Sequence, residues 1–372
     1  MAEAGTLLIV SLGELGTNVL EAVGRSGLFE RIVVASRSVK KAAGRINNAV
    51  IGCGIEGCFP RFEALGLDFN DLASVRMLRS VAPDVIFCAP TLRPWWKVGR
   101  LDGAGMSLAE CVPFGGYVSL QLAPMATFRT RLAEAGLTSL WIAASFPDVV
   151  NPSLARTGFG PTCGIGNVRE PVAKIQAVVG RRLGVPPTRI DVRLVAQHAF
   201  EYGVFQEAPP HVLPPYLLEV TVDGEDHTEL GHEALREPFP FLYDLHFNRV
   251  TASAAVDGLR ALVSPTATRT HLPGVLGLVG GYPVIVEAGR VHLDLAESWT
   301  EAEAIGTNEA ALPGDGIERI EADGTIVFTV GTVEALYALT GATIECAHPD
   351  SAADQARHIL AALNEGSAPD RT

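Results

Sequence analysis

Two glycines near the start of the chain have the spacing of a turn that holds phosphate. Gly13 and Gly16 follow a short apolar run, and a helical pattern of apolar residues begins at Gly16. The first backbone amides of a helix have no partner inside the helix, and the helix dipole favours an anion beside them. Glycine allows a phosphate to approach those amides closely. The stretch is therefore predicted to bind the pyrophosphate of a dinucleotide.

The elements around this turn have the order that such a site requires. Residues 7–10 predict a strand buried on both faces, a helix follows and stops before Gly27, and residues 32–35 predict a second strand. The glycine motif is incomplete, because Ser11 stands at its first glycine position and Glu14 brings a negative charge into the turn. An ordinary buried strand-to-helix turn is the alternative interpretation.

The end of the second strand indicates which dinucleotide would bind. A cofactor without a 2′-phosphate is usually held there by an aspartate or glutamate, and this chain has Ser36, Arg37 and Ser38 instead. A guanidinium flanked by hydroxyls suits a phosphate dianion. NADP is therefore predicted, with NAD less favoured. The alternative is a solvated basic helix start, which would also account for Lys40 and Lys41.

Composition and charge limit the class of protein. The 372 residues are 48% hydrophobic and 19% charged, which is enough for two domains and a large core. The formal charge of −13 opposes nucleic acid or an anionic membrane as a general partner, so an anionic small substrate would need a locally basic site. No apolar run approaches the length of a membrane span and no secretory signal is visible, which makes the cytoplasm the expected location.

The six cysteines do not predict a metal site. Only Cys53 and Cys58 are close in sequence, and no histidine lies near them. Reduced thiols are the expected state, and no metal is expected.

The order of strand and helix patterns predicts an α/β fold with an N-terminal Rossmann domain, a doubly wound parallel sheet, and a C-terminal α+β domain. Residues 84–89 and 139–144 predict further buried strands of the parallel sheet. Beyond the Pro- and Gly-rich stretch near Pro147, a long helix over 172–183 precedes strands at 216–222, 283–286 and 289–295. Residues 1–150 are assigned to the dinucleotide-binding domain and 151–372 to the substrate domain.

One stretch of about forty residues, 163–203, resembles the malate/lactate dehydrogenase family. A turn at Gly166 and Asn167 leads into a helix that ends in the phrase RLGV, a short link containing two prolines follows, and a strand over 191–196 leads to His198. Looser matches are the pair Arg93 and Arg100 around PWWKVG, the segment SFPDVVNP at 145–152, and residues 248–259 with the later GVLGLVGGYPVIVEAGRVHLDL. The segment 301–315 has no counterpart in the resemblance.

The resemblance implies hydride transfer between a nicotinamide and a 2-oxo or 2-hydroxy acid. His198 would exchange the proton of the substrate oxygen, Glu170 is the nearest match for the carboxylate that orients the imidazole, and Arg100 would polarise the carbonyl from a lid. Contacts with a small anionic substrate are assigned to Arg93, Lys174 and Asn248. Contacts with the cofactor are assigned to Ser11, Gly13, Leu15, Gly16, Ser36, Arg37, Ser38 and Ala89. The family also implies a homodimer or homotetramer.

Three positions depart from the family pattern. Phe146 replaces an asparagine that would contact the substrate oxygen, Lys174 replaces an arginine, and Pro171 stands where the orienting carboxylate would align. These changes fit an altered substrate or a lost activity, and the former is favoured because His198 and both arginines are present. The alternatives are a nucleotide-binding regulatory protein that has lost its redox site and an opine- or imine-type reductase. For His198 alone, a core histidine at a strand end is the competing interpretation.

Overall fold

The computed structural model describes residues 5–94, 108–206, 210, 212–240 and 245–365. Its first unit is a six-stranded parallel sheet in the order β3-β2-β1-β4-β5-β6, as expected for a doubly wound fold. The strands are β1 Thr6–Val10, β2 Arg31–Ser36, β3 Arg61–Gly66, β4 Val85–Cys88, β5 Leu140–Ala143 and β6 Cys163–Gly164. The helices of this part are α1 Glu14–Ser26, α2 Val39–Ile55, α3 Ala73–Val81, α4 Leu108–Cys111, α5 Ser119–Ala135 and α6 Pro147–Arg156.

The second unit is an antiparallel sheet in the order β10-β11-β7-β8-β9, with β12 paired to β11. Its strands are β7 Ile190–Ala196, β8 Tyr216–Val222, β9 Glu225–Asp226, β10 Thr268–Pro273, β11 Gly281–Glu287 and β12 Arg290–Leu293. Its helices are α7 Arg169–Leu183, α8 His198–Val204, α9 Thr228–Arg236 and α10 Asn248–Val263.

A small C-terminal unit completes the described chain. It contains α11 Glu301–Ala311, the strands β13 Ile317–Ile320, β14 Ile326–Phe328 and β15 Cys346–Ala347, and the helices α12 Val330–Thr340 and α13 Ala352–Glu365. A 3-10 turn, Leu312–Asp315, lies between α11 and β13. Helix α13 packs on α5, so this unit lies against the parallel sheet rather than apart from it.

The predicted fold class is confirmed. The parallel sheet is α/β and the part that follows is α+β with antiparallel pairing, in the predicted order along the chain. The division at residue 150 stays a prediction, and the last strand of the parallel sheet lies just beyond it, at Cys163–Gly164. Within the described part of the chain, every helix is too short or too polar to span a bilayer.

Alternating residues of β1 place apolar side chains on both faces of the parallel sheet. Leu8 and Val10 pack into the core that includes α5 and the C-terminal unit. Leu7 and Ile9 pack into the core on the other face, with α1, α2 and α10. A strand buried on both faces reads as a continuous apolar run, which is why residues 7–10 could be recognised as a strand from the sequence.

The turn after β1 requires glycine at one position and leaves space at another. A Cβ on Gly16 would overlap the carbonyl oxygen of Ser11, so α1 can approach the strand end this closely only with glycine there. A Cβ on Gly13 would meet nothing within 4 Å. The open space at Gly13 lies in front of the N-terminus of α1, where an anion would be held.

These two glycines provide a matched pair of substitutions. Gly16→Ala should lower the free energy of unfolding by about 1–3 kcal/mol, because the added methyl group overlaps backbone. Gly13→Ala should change it by less than about 0.5 kcal/mol, because the φ of −73° suits alanine and the space is open. Chemical denaturation of both variants measures the difference. Equal losses would contradict the close approach at Gly16.

Candidate active site

A cleft of about 1040 Å³ extends from the glycine turn to His198. It lies at the carboxyl ends of β1, β4 and β5, where the order of the parallel sheet reverses and where doubly wound folds bind their ligands. Eight of the residues predicted from the sequence line it: Ser11, Gly13, Leu15, Gly16, Ala89, Glu170, His198 and Asn248. The structure therefore brings the predicted nucleotide turn and the predicted histidine into one cavity.

His198 is held by a carboxylate from the C-terminal unit. Its Nδ1 lies 3.0 Å from Asp315 Oδ1 and 3.1 Å from Oδ2. The buried side chain of Gln197 donates to Asp315 Oδ2 at 2.7 Å, so the carboxylate accepts hydrogen bonds from two neighbouring residues. When Nδ1 donates to Asp315, Nε2 is the nitrogen left to exchange a proton with a substrate.

Two phenylalanine rings enclose the imidazole. Phe114 stacks on His198 with ring centroids 4.8 Å apart, and Phe146 meets it edge-on at 5.0 Å. Phe146 has a positive φ of 48° at the start of α6, a conformation that costs a bulky residue free energy. The position that departs from the dehydrogenase pattern therefore packs directly against the candidate proton carrier.

The charges around His198 favour its protonated form. Burial alone lowers the pKa of the imidazole, but the charge and hydrogen bond of Asp315, with the charges of Asp148 and Glu170, more than compensate and raise the pKa above its ordinary value. A raised histidine pKa suits a group that donates a proton to an oxygen and takes it back.

Three further carboxyl groups line the cleft near His198. Asp148 is fully buried at the start of α6, and Glu170 and Glu201 are 4% and 6% exposed on α7 and α8. Burial raises the pKa of Asp148 to about 7. Its Oδ1 accepts a short hydrogen bond from Asn167, while its Oδ2 has no partner among the described residues.

Glu170 and Glu201 form a carboxyl pair. Their side chains are within hydrogen-bonding reach of each other, and burial raises the pKa of both groups. Two buried carboxylates in contact cannot both ionise at low cost, so the pair holds a proton between them. Glu170 thus lies in the predicted cavity, but its partner is Glu201, and the carboxylate that orients His198 is Asp315.

The turn at Asn167 connects the elements that carry these groups. Its side-chain amide donates to Asp148 on α6 and, at 3.4 Å, to the carbonyl of Ala196 at the end of β7. Its Oδ1 accepts from the backbone of Val168 at 2.7 Å, a buried residue with a φ of 64°. The turn that was matched from the sequence thus fixes α6, α7 and β7 relative to one another.

Arg45 contacts the glycine turn and offsets part of the negative charge that Glu14 brings into it. Arg45 from α2 donates to the carbonyl of Leu12, to that of Gly13 at 2.9 Å and to Thr17 Oγ1 at 2.5 Å. Its guanidinium also lies 3.7 Å from the Glu14 carboxylate and offsets part of that charge. Carbonyl oxygens of the turn therefore contact a cation, which leaves the amides at the start of α1 for an anion.

The predicted phosphate cluster lies at the carboxyl end of β2, beside that of β1. Ser36 Oγ accepts from the backbone of Ser38, and Ser38 caps α2 by accepting from Lys41 at 3.3 Å. Arg37 is exposed. Ser36, Arg37 and Ser38 are not among the residues that line the cleft, and their role in binding a 2′-phosphate stays a prediction.

Lys174 does not reach the cleft. Its ammonium is buried and donates to the carbonyls of Val204 and Leu235, both at 3.0 Å. Burial lowers its pKa to about 8. The structure places this side chain between the ends of α8 and α9, so it does not supply the substrate-binding cation that the resemblance implied.

Three other predicted contacts have different outcomes. Asn248 lines the cleft at the start of α10 and donates to Leu245 O at 2.8 Å. Arg93 is not one of the lining residues, and its guanidinium lies 3.3 Å from the side-chain oxygen of Asn364. Arg100, with Trp95 and Trp96 of the same segment, lies outside the described residues.

Sequence reasoning missed Asp315, Asp148 and Glu201. Asp315 belongs to the segment without a counterpart in the resemblance, and nothing in its local pattern points to a partner 117 residues earlier. Glu201 stands three residues after His198 and shares its helical face, which is a signal that could have been used. Among the described residues, no group of three His, Cys, Asp or Glu side chains could hold a metal ion.

The sequence matches no protein-family model and no curated protein. Comparison with solved structures gives the class: the fold is that of the malate and lactate dehydrogenases, which confirms at the level of the fold the resemblance inferred from the sequence.

Three of the similar structures illustrate this agreement. The lactate dehydrogenase of Cryptosporidium parvum, solved with lactic acid and nicotinamide adenine dinucleotide, has a TM-score of 0.56 at 14% identity, over 85% of this chain and 97% of its own. The malate dehydrogenase of the same organism has a TM-score of 0.57 at 12% sequence identity, over 83% of this chain and 95% of its own. The malate dehydrogenase of Plasmodium falciparum in complex with NADH has a TM-score of 0.54 at 10% sequence identity, over 83% of this chain and 96% of its own.

The pairing of His198 with Asp315 can be tested without any substrate. Because the Asp315 charge and hydrogen bond raise the pKa of the imidazole, Asp315→Asn should lower the pH of its titration midpoint. NMR of histidine-labelled protein measures this, with the His198 signal assigned by its loss in His198→Asn.

Asp354→Asn, on the exposed start of α13, is the control and should leave the His198 midpoint unchanged. A His198 titration that is insensitive to Asp315→Asn would mean that the carboxylate does not act on the ring. The pair should also stabilise the fold below the ordinary histidine pKa and lose this effect as the pH rises through the raised folded value.

Proposed function

We propose that this protein is a nicotinamide-dependent oxidoreductase that interconverts a 2-oxo acid and a 2-hydroxy acid, with NADP as its cofactor. The observation that carries the proposal is the single cleft that joins the glycine turn at Gly13 and Gly16 to His198, itself paired with Asp315. A nucleotide turn alone would fit a binding protein. A proton carrier at the other end of the same cavity fits an enzyme.

The chain has the parts needed to hold the dinucleotide. The close approach enforced by Gly16, the open space at Gly13 and the unpartnered first amides of α1 fit a pyrophosphate. Leu15 and Ala89 line the same part of the cleft and are assigned to contacts with the cofactor. When bound, the nicotinamide supplies or accepts the hydride.

The residues at the other end of the cleft would handle the proton. In the direction of reduction, protonated His198 would donate from Nε2 to the carbonyl oxygen of the substrate, and in the direction of oxidation the neutral ring would take the hydroxyl proton. Asp315 would hold the ring through Nδ1 and stabilise the imidazolium form. Phe114 and Phe146 would exclude water from the imidazole.

The preference for NADP rests on the residues that follow β2. Ser36, Arg37 and Ser38 replace the carboxylate that would bind the ribose hydroxyls of NAD, and Arg37 is exposed and has a guanidinium that suits a phosphate. The similar dehydrogenases solved with nicotinamide adenine dinucleotide or NADH support a nicotinamide cofactor in general. Contact with the substrate carboxylate stays assigned to Arg93, since Lys174 is engaged elsewhere, and polarisation of the substrate carbonyl stays assigned to Arg100.

An opine- or imine-type reductase is the second candidate. The observation that favours it is the set of carboxyl groups around His198, Asp148, Glu170 and Glu201, which suits a substrate with an amine. Assays of a 2-oxo acid with and without an amine would separate the two reactions, because the first consumes NADPH with the acid alone, whereas the second consumes it only when the amine is present to form an imine. A homodimer or homotetramer in the cytoplasm remains the expectation taken from the resemblance.

The role of His198 is tested by His198→Asn. Turnover of a panel of 2-oxo acids, followed by NADPH absorbance, should fall by about a hundredfold or more, while the protein stays folded and its NADPH affinity stays close to that of the parent protein. His292→Asn, on the exposed face of β12, is the control and should keep full turnover. Undiminished turnover in His198→Asn would remove the histidine from the mechanism. An absence of turnover in the parent protein with every acid, with or without amine, would favour the regulatory alternative.

The cofactor preference is tested by Arg37→Asp combined with Ser36→Ala. NADPH binding should weaken by about 1–3 kcal/mol while NADH binding holds or improves, because a charge-assisted contact with the 2′-phosphate is replaced by repulsion. Fluorescence titration of both cofactors measures this. Lys40→Asp makes the same charge change at an exposed neighbouring position and should have a smaller effect. Tighter binding of NADH than of NADPH to the parent protein would contradict the preference.

A further inference from the structure

Burial of the carboxyl pair Glu170–Glu201 costs free energy, and the pair has no described role in the fold. Both side chains are more than nine-tenths buried, and both line the cleft that contains His198. One oxygen of each, Oε1 of Glu170 and Oε2 of Glu201, lacks a hydrogen-bond donor among the described side chains and backbone. Buried carboxyl groups are normally paired with a cation or with several donors, so this pair indicates that a partner is brought from outside.

The cations closest in sequence do not serve the pair. Lys174 follows Glu170 by one helical turn, yet its ammonium donates to the carbonyls of Val204 and Leu235. Arg169 precedes Glu170 and donates to Asp257 at 3.0 Å. Among the described residues that line the cleft, none is a lysine or an arginine. The charge of His198 acts on Glu170 from a distance, but the Nδ1 of that ring is hydrogen-bonded to Asp315.

The geometry of the pair also fits a donor better than an acceptor. Glu170 and Glu201 project from two different helices, α7 and α8, and their oxygens meet in the same part of the cavity as Asp148 and His198. A carboxylate group of a ligand would be repelled there. An ammonium ion has three donors and one positive charge, which match two carboxyl groups that share a single proton.

We propose that Glu170 and Glu201 form a subsite for a primary ammonium group carried by the substrate. This inference rests on the proposed oxidoreductase function and narrows its substrate to a 2-oxo or 2-hydroxy acid that also bears an amine. The ammonium ion lies between the two carboxyl groups. Because a second carboxylate is stabilised when the cation arrives, the proton that the pair shared is released to solvent on binding.

The first measurement uses matched ligands and the parent protein loaded with NADP. Unbranched 2-hydroxy acids of four to six carbons are compared with the same acids carrying a terminal amine, such as 4-amino-2-hydroxybutanoate against 2-hydroxybutanoate. Calorimetry should show about tenfold or tighter binding for the aminated member of at least one pair. Propylammonium chloride should compete with that ligand.

Proton release gives a readout that a purely structural pair would not show. Titrations in two buffers of different ionisation enthalpy should report release of close to one proton per aminated ligand bound, and less for the plain hydroxy acid. Glu201→Gln and Glu170→Gln keep the side-chain volume and remove the shared proton. Each should abolish the preference for the amine and the proton release, while Glu334→Gln on the exposed face of α12 should change neither.

The two proposals can fail separately. Equal binding of aminated and plain acids to the parent protein would overturn the ammonium subsite, even if the plain acids are oxidised. Amine-selective binding with proton release but no reduction of NADP would support the subsite and overturn the proposed oxidoreductase. Loss of folding in either glutamine variant leaves the parent-protein comparison to decide.

Discussion

The hydrogen bond between His198 and Asp315 connects the two parts of the molecule on which the cleft depends. His198 stands at the start of α8, directly after β7 of the antiparallel sheet, whereas Asp315 ends the 3-10 turn that leads into the C-terminal sheet. The C-terminal unit is itself held against the parallel sheet by the packing of α13 on α5. A side chain 117 residues away in sequence therefore decides the orientation and the charge of the imidazole.

The same contact explains why a carboxylate can be buried at this point. The Asp315 side chain is 5% exposed, and taking a carboxylate out of water is costly unless donors replace its hydration. Gln197 and His198, adjacent in sequence, supply those donors from the end of β7 and the start of α8. Removal of either donor would leave a buried charge less well solvated, so the strand end, the helix start and the 3-10 turn stabilise one another.

The sequence predicted the parts of the structure that depend on local patterns. The continuous apolar run at 7–10, the strand predicted at Tyr216–Val222 and the helix stop at Gly27 each follow from short-range patterns or backbone conformation, and all three agree with the structure. The glycine turn was found because its signal is local as well, whereas His198 was found through the resemblance over residues 163–203. Their meeting in one cleft required the resemblance to a two-domain fold.

The partners of His198 could not be predicted in the same way. A resemblance transfers a role to the nearest matching position, and it assigned the orienting carboxylate to Glu170 because that residue lies on the expected helix. The structure uses Asp315 for this purpose, from a segment that the resemblance did not cover. Lys174 shows a different limit of prediction from sequence. Its position on the helix follows from spacing, but the direction of its long side chain depends on which backbone carbonyls lie within reach.

The backbone around the cleft supports the assignment of function to this region. Ser11, Phe146 and Val168 all have a positive φ, of 78°, 48° and 64°, although none of them is glycine. Such conformations cost about 1–3 kcal/mol each and persist only where the surroundings determine them. Ser11 follows β1, Phe146 precedes α6 and Val168 precedes α7, so each stands where a strand or turn passes into a helix beside the cleft. Sequences usually agree with local conformational preference except where a site requires otherwise. Among the described residues four other non-glycine residues also have a positive φ, Ala82, Asp223, Leu276 and Ala288, and they lie away from the cleft. The three beside the path from the glycine turn to His198 fit a site whose backbone is determined by its surroundings.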